Sequence, residues 1–293
     1  MALHMDTLQG IDDLRRWRGA TFVPTMGALH EGHCALIRCG AAFGSPVVVS
    51  IFVNAHQFAP DEDLDTYPRS LNADLDAAQR SGAAAVFLPE ADLVFPNGVD
   101  LHCPSLPHVA TSPGLEDACR PHFFPGVCLV VARLFDLLRP ARAVFGEKDW
   151  QQLKVIEAMV RNDAERFPLD IVGCPTSRDA DGLALSSRNA YLDEQQRGRA
   201  AALWQALQLA QVADDVGAAE NAMNACLNAA GLDVEYAVVR DTETLERSDA
   251  IDGDHLHLSD PQPLPAMRAL IAARLDSVRL IDNAPFPAAH SLH

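Results

Sequence analysis

Short apolar runs alternate with helical patterns through the first 175 residues of the chain. Apolar residues recur at helical spacing between the runs, at 70–82, 127–138 and 149–162. The runs themselves have the length and the apolar or β-branched content of buried strands. They lie at 21–24, 46–53, 83–88, 141–145 and 170–174. This alternation predicts an α/β fold, with a parallel sheet and helices on both of its faces.

The pattern changes after residue 176, where two alanine-rich helical segments at 194–212 and 217–230 precede short strand patterns. Those strands are predicted at 234–239, 269–273 and 278–281. The segment 175–189 has no apolar period, so we place the boundary there. The sequence predicts a larger domain over 1–176 and a smaller α+β domain over 177–293.

Charge and composition exclude several classes of protein. The chain is 48% hydrophobic, so it is not disordered. Its net charge of -17 disfavours nucleic acid and anionic membranes as partners. No apolar run spans a bilayer and no signal peptide opens the chain, so we expect a cytoplasmic protein. The seven cysteines form no CxxC pair, which favours reduced thiols over a zinc site or a disulfide framework.

The first candidate for chemistry is the segment 24–33, which follows the first predicted strand and opens a helix. The chain has neither a GxxxxGK[ST] loop nor a GxGxxG turn, so another device must hold any phosphate. His30 and His33 are three residues apart on one side of the first turn, and Gly27 permits a tight turn. With the free N–H groups of a helix N-terminus, they suit an anion. The alternative is a purely structural histidine pair.

Further candidates follow two other predicted strands, at the edge where open α/β sheets bind ligands. Lys148 and Asp149 open a helix, and could hold a phosphate and a magnesium-bound water, or simply cap that helix. Asn54 and Gln57 are neutral amides suited to the hydroxyl and carboxylate groups of a small substrate. In addition, the glycine-hinged loop 181–189 could be a mobile phosphate clamp or an ordinary capping turn.

Five segments together resemble the pantothenate synthetase (pantoate–β-alanine ligase) family, and the likeness runs from about residue 10 to 285. They occur in the family's order and spacing: PTMGALHEGH, VSIFVN with QF, EDLDTYPR, FGEKDWQQL and DGLALSSRNAYL. The family belongs to the nucleotidylyl-transferase superfamily, whose HIGH-type motif is residues 30–33 here.

The resemblance implies a Rossmann-like N-terminal domain, a small C-terminal lid and a homodimer. It also implies a two-step ligase reaction with ATP and Mg²⁺. ATP adenylates the carboxylate of pantoate and releases pyrophosphate, and β-alanine then attacks the pantoyl-adenylate to give pantothenate and AMP. Adenylation supplies the leaving group that a carboxylate lacks.

The family's functional residues carry over onto matching positions here. The expected catalytic residues are His30, His33 and Lys148, with His33 the residue usually assigned as proton donor. The expected ATP-binding residues are Met26, Gly27, His30, His33, Gly146, Lys148, Asp149, Ser177, Leu185, Ser186, Ser187 and Arg188. The expected substrate-binding residues are Asn54, Gln57, Tyr67, Arg120 and Gln152. Asp74 takes the place of a possible metal ligand, although its neighbours Ala73 and Ala77 cannot assist it.

The chain departs from the usual family pattern at Ala55, Phe123, Leu129, Trp150 and Ser177. The first three lie near the implied acid pocket or its supports, and an apolar gain there could change which hydroxy acid fits. The alternative function is therefore a related adenylate-forming acid–amine ligase with another acid or amine. A non-catalytic binding protein is the third possibility, which the intact phosphate-handling residues disfavour.

Overall fold

A computed structural model describes residues 5–60, 62–96, 102–247 and 266–286. The chain divides into two compact units, Met1–Ser177 and Arg178–His293. Among the described residues, no helix is long and apolar enough to cross a membrane. All seven cysteines lie in the described part and are free thiols.

The first unit is built on a six-stranded sheet whose strand pairs are all parallel. Its strands are β1 (Asp6–Leu8), β2 (Thr21–Thr25), β3 (Val47–Ile51), β4 (Ala85–Phe87), β5 (Arg142–Gly146) and β6 (Asp170–Cys174). Their order across the sheet is β1-β4-β3-β2-β5-β6. The chain runs outward from β2 through β3 and then returns to place β5 on the other side of β2. The β2–β5 boundary is therefore the topological switch point, where open α/β sheets form a crevice at the carboxyl ends of the strands.

Helices cover both faces of this sheet. The helices of this unit are α1 (Ile11–Leu14), α2 (Glu31–Ala41), α3 (Leu71–Arg80), α4 (Ala91–Val94), α5 (Glu116–Cys119), α6 (Phe123–Leu138) and α7 (Trp150–Asn162). Successive strand residues point to opposite faces. Val23 of β2 packs in one cluster with Ile37 of α2 and Ala78 of α3. Its neighbour Phe22 lies edge-on to Phe135 of α6, with ring centroids 6.3 Å apart.

The second unit is an antiparallel sheet with its own helices. Its strands are β7 (Asp233–Asp241), β8 (Met267–Leu275) and β9 (Val278–Phe286), in that order. Its helices are α8 (Glu194–Ala200), α9 (Ala202–Gln211) and α10 (Val216–Ala229). Buried Leu203 and Met223 belong to a core that includes Ile271 of β8. An ion pair between Arg178 and the buried carboxylate of Asp282 adds to it, with Nη2 and Oδ1 2.9 Å apart.

The predicted fold class is confirmed, with differences in detail. The three-residue strand β1 was not predicted, because so short an edge strand has no measurable period. The helix predicted over 194–212 is two helices that meet at Ala201. The only sequence signal near this junction is Gly198, three residues before Ala201, because an isolated glycine weakens a helical pattern without fixing where it ends.

Candidate active site

A left-handed turn at Gly27–Leu29, the β2 turn, connects β2 to α2 and sets the position of both histidines. Gly27 has φ +87° and Ala28 has φ +51°. A left-handed alanine costs about 1–2 kcal/mol, so other contacts must hold this turn. His30 then adopts an extended conformation as the N-cap of α2, and His33 lies in the first turn of that helix.

Hydrogen bonds define the tautomers of the two imidazoles. The backbone N–H of Gly32 donates to Nδ1 of His30 over 3.1 Å, and the N–H of His30 donates to Nδ1 of His33 over 3.3 Å. A nitrogen that accepts a hydrogen bond carries no proton, so each neutral ring has its proton on Nε2. The ring centroids are 4.1 Å apart. The pair therefore carries two Nε2–H donors side by side.

Both imidazoles are held in the neutral form. Burial, aided by the positive charge of Lys148, lowers the pKa of His30 from 6.5 to about 4. Burial and the neighbouring His30 lower the pKa of His33 from 6.5 to about 3. The carboxylate of Asp149 opposes both shifts without reversing them. At neutral pH the histidines therefore act as hydrogen-bond donors and not as cations.

Lys148 and Asp149 come from the other side of the switch point. They lie in a short 3₁₀ helix, Glu147–Asp149, directly after β5 and before α7. Because β2 and β5 are neighbours in the sheet, this helix and the N-terminus of α2 follow adjacent strand ends, and the charges of Lys148 and Asp149 act on the pKa values of both histidines. The ammonium of Lys148 lies 3.3 Å from Oδ1 of Asp149. The structure thus brings together the histidine and lysine candidates that the sequence predicted.

The loop after β3 adds the amides to the same edge of the sheet. Nδ2 of buried Asn54 donates to Oε1 of Gln57 over 3.0 Å and to the carbonyl of Gly126 over 3.1 Å. Gln57 in turn donates from Nε2 to the sulfur of Met26 over 3.3 Å. Asn54 is therefore committed to protein partners, and it fixes the position of Gln57 beside the β2 turn.

Arg120 lies beside this loop but is engaged by carboxylates. Its guanidinium makes two hydrogen bonds of 2.6 Å to Glu62 and lies 3.4 Å from the carbonyl of Gln57. It also stacks 4.0 Å from the ring centroid of Phe123, the residue that departs from the family pattern. The arginine is thus close to Gln57, with its charge balanced by Glu62.

The remaining predicted residues of the first unit are Tyr67, Gln152, Gly146 and Ser177. Tyr67 is buried, with its ring centroid 5.9 Å from that of Phe58. Gln152 is half-buried in the first turn of α7. Gly146 ends β5, and Ser177 is the last residue of the first unit.

Asp74 of α3 makes three hydrogen bonds to neighbouring groups of the protein. Its Oδ2 accepts from the backbone N–H of Ala28 over 3.0 Å. Its Oδ1 accepts from the N–H of Leu29 over 2.8 Å and from the hydroxyl of Ser70 over 3.0 Å. Within the described ranges, no group of three or more His, Cys, Asp or Glu side chains is arranged to hold a metal. The carboxylate that the family resemblance offers as a possible magnesium ligand bonds to the β2 turn, and its role as a ligand stays a prediction.

The predicted phosphate clamp lies in the second unit. Ser186 caps the short 3₁₀ helix Ser187–Tyr191, and its hydroxyl accepts from the N–H of Arg188 over 3.3 Å. Leu185 precedes it and is half-buried. Asn189 donates to the carbonyl of Ala184 over 3.0 Å, which ties this helix to the loop before it.

Sequence reasoning assigned no role to Gln151, the neighbour of Gln152. Gln151 is buried. Its side chain accepts a hydrogen bond from the N–H of Glu116 and donates one to the carbonyl of Val109, each with a length of 2.9 Å. It also donates to Asp117 over 2.9 Å. The only sequence feature that could have indicated this role is the position of a polar residue next to Trp150 in α7. Gln151 anchors α5, the helix that leads to Arg120.

Comparison with known proteins places the chain. The family model described as pantoate-beta-alanine ligase matches residues 4–285. The chain belongs to this family. The pantothenate synthetase of Pseudomonas savastanoi pv. phaseolicola is 41% identical over 295 residues, which cover 95% of this chain and 98% of that protein. That of Nocardioides sp. is 47% identical over 277 residues, covering 90% and 77%.

Solved structures of the family share the fold. The pantothenate synthetase of Thermus thermophilus superposes with a TM-score of 0.86 at 38% identity, over 97% of this chain and 100% of that one. A pantoate-beta-alanine ligase from Francisella tularensis, complexed with beta-gamma ATP and beta-alanine, has a TM-score of 0.75 at 28% identity. That match covers 96% of this chain and 98% of the other.

Proposed function

We propose that this protein condenses pantoate with β-alanine at the expense of ATP, through a pantoyl-adenylate. In the first step a pantoate carboxylate oxygen attacks the α-phosphorus, the bond to the β-phosphate oxygen breaks and pyrophosphate leaves. In the second step the amine of β-alanine attacks the acyl carbon, AMP leaves and the amine loses a proton. The products are pantothenate, AMP and pyrophosphate.

One observation carries the proposal for the first step. Two imidazoles with Nε2–H donors and the ammonium of Lys148 share one neighbourhood at the switch point of the sheet. Negative charge accumulates on the phosphate oxygens as the α-phosphorus is attacked. Donors that are already oriented stabilise this charge without reorganisation, and one such donor contributes about 3–4 kcal/mol. Lys148 adds a full positive charge.

The lowered pKa values support hydrogen bonding as the ground-state role of the histidines. A neutral imidazole donates from Nε2 but gives up its proton reluctantly, so His33 is a hydrogen-bond donor in the free protein. A bound triphosphate brings several negative charges, which raise the pKa of a neighbouring histidine. Proton donation by His33 would therefore require the nucleotide to be bound first.

The amides beside the β2 turn supply the acid pocket in this proposal. Gln57 and Gln152 hold the pantoate hydroxyl and carboxylate groups, and Asn54 fixes Gln57 through its 3.0 Å hydrogen bond. Tyr67 and Arg120 support the same pocket. Met26 and Gly27 line the nucleotide side of the turn, with Gly146 and Asp149 opposite.

ATP enters as its magnesium complex, so we treat the ion as part of the substrate. Mg²⁺ bound to ATP keeps several waters and needs only one or two carboxylates from the protein. Asp149, whose side chain is 44% exposed, fits contact with such a hydrated ion better than Asp74, which is 2% exposed and bonded to the β2 turn.

The second unit contributes residues to nucleotide binding by family resemblance. We propose that Ser186, Ser187 and Arg188 bind the triphosphate, with Leu185 and Ser177 at the nucleotide. The function of the second unit as a lid and the homodimer are proposed on the same ground, whereas a cytoplasmic location is proposed from the composition and the cysteine spacing.

Pyrophosphate release from magnesium-ATP tests the function. The assay uses pantoate with and without β-alanine, beside related hydroxy acids and amines. Turnover that needs both pantoate and β-alanine supports the proposal. Turnover with another acid instead would show that the protein is a related acid–amine ligase. The stacking of Phe123 on Arg120, beside the proposed acid pocket, is the observation that favours this alternative.

Lys148→Ala tests the assigned charge. We expect pyrophosphate release to fall by orders of magnitude with unchanged circular dichroism, because a charge-assisted contact to the phosphates is lost. Arg161→Ala, a charge deletion at an exposed position of the same helix α7, is the matched control and should retain activity. Near-normal release by Lys148→Ala would contradict the role of Lys148.

A further inference from the structure

The carboxylate of Asp74 is hydrogen-bonded to the β2 turn, although 46 residues separate Asp74 from Ala28 along the chain. Two consecutive backbone N–H groups, those of Ala28 and Leu29, donate to its two oxygens. Consecutive N–H groups of this kind form a concave anion site. Here the anion is part of the protein itself.

The approach between carboxylate and turn is close. A Cβ built on Gly27 would lie 3.1 Å from Oδ2 of Asp74 and 3.0 Å from Cγ2 of Ile51. Two features therefore favour glycine at position 27, its φ of +87° and the close approach of Asp74. Ala28, whose left-handed conformation is costly, makes one of the two hydrogen bonds directly.

The same contacts disfavour coordination of magnesium. Both oxygens of Asp74 already accept hydrogen bonds, three in all, and the residue is only 2% exposed. Its helical neighbours Ala73 and Ala77 carry no ligand atom. Donors that shape the turn and α3 therefore take three of the roughly four acceptor positions of this carboxylate, and the fourth, on Oδ2, belongs to a buried group.

We propose that Asp74 is a positioning residue: it locks the Gly27–Leu29 turn in its left-handed conformation and so aims the Nε2–H groups of His30 and His33 at the triphosphate. That these donors bind a triphosphate rests on the proposed function, whereas the stabilisation of the turn by Asp74 does not. The geometry explains how a turn with two consecutive positive φ values stays in one conformation.

Asp74→Asn tests this, because it keeps the size of the side chain and turns one acceptor into a donor that faces a backbone N–H. We expect hydrogen exchange in the peptide covering 26–33 to become at least about tenfold faster in the absence of any substrate. We expect kcat for pyrophosphate release to fall about 100-fold, the cost of misplacing groups by about 1 Å. The KM for ATP and the half-saturating concentration of free Mg²⁺ should remain within about threefold of the unchanged protein, because uniform binding is not lost.

A metal ligand would behave differently. Exchange in the turn would then be unchanged, the half-saturating Mg²⁺ concentration would rise about tenfold or more, and excess Mg²⁺ would restore turnover, as expected when a ligand to the ion is lost. That result would overturn the proposal. Asp76→Asn makes the same chemical change at an exposed position of α3 and should alter none of these quantities.

Ser70→Ala provides a milder second variant should Asp74→Asn fail to fold. It removes only the hydrogen bond from the Ser70 hydroxyl and keeps the charge and both backbone contacts. Positioning predicts a several-fold rise in exchange and a several-fold fall in kcat, with unchanged Mg²⁺ dependence; unchanged exchange would refute it. Because exchange is measured without substrates, failure of the proposed reaction would leave this test intact.

Discussion

Protonation of His30 and His33 should destabilise the folded protein on mild acidification. Their pKa values fall from 6.5 to about 4 and about 3 on folding, chiefly through burial. Below pH 6.5 the unfolded chain therefore binds protons that the folded protein refuses. Stability falls as the pH drops from 6.5, and the loss continues to the folded-state pKa of each group.

The magnitude follows from the linkage relation. One pKa unit corresponds to about 1.4 kcal/mol. Integrated from about pH 7 to about pH 5.5, a group that titrates only in the unfolded state costs about 1.25 kcal/mol, so the two imidazoles together cost about 2.5 kcal/mol. This window lies above the range in which most carboxylates titrate.

Urea unfolding of the protein and of the double variant His30→Asn, His33→Asn, at both pH values, measures this loss. Asparagine places an acceptor near the position of Nδ1, so it can keep the bonds from Gly32 and from residue 30, and it does not titrate. The unmodified protein should lose about 2.5 kcal/mol more than the variant over the interval. Equal losses would show that burial does not lower the pKa values of the two imidazoles and would refute the argument that the fold holds both of them neutral.

Two glycines give further predictions, with the exposed helix position Gly198→Ala as their shared control, since a Cβ there meets no atom within 4 Å. Gly126→Ala would bring a Cβ within 2.3 Å of the carbonyl oxygen of His56, so the loop that carries Gln57 must move. We expect a stability loss of about 1–3 kcal/mol in urea unfolding and a clear rise in the KM for pantoate; wild-type values would contradict the packing. Gly182→Ala would place a Cβ 1.9 Å from Cδ1 of Trp204 at φ +89° and should destabilise the second unit, seen as a lower urea midpoint by Trp fluorescence, whereas Gly198→Ala should stabilise by up to about 1 kcal/mol.

The sequence predicted the parallel sheet because its central strands are buried on both faces. The run Val47–Ile51 is continuously apolar or small, as such strands are, and α6 presents a clear helical period. The three-residue β1 offers too few positions for any pattern. Periodicity therefore predicted the elements of the sheet and missed only what is too short to have a period.

The candidate site was predictable in its outline and not in its contacts. His30 and Lys148 follow strands that are neighbours in the sheet, so the topology alone brings their loops together. The bond between Asp74 and Leu29 joins residues 45 positions apart, and that between Arg120 and Glu62 joins residues 58 apart. Such pairs depend on how loops and helices pack, which no local pattern encodes.

The central claim is that the acid carboxylate attacks the α-phosphorus of ATP. Pantoate labelled with ¹⁸O in both carboxylate oxygens tests this most directly, by mass spectrometry of the AMP formed with β-alanine. The account predicts one ¹⁸O in each AMP, because the carboxylate oxygen that bonds to phosphorus leaves with it. AMP without ¹⁸O, formed together with pantothenate, would contradict an adenylate intermediate.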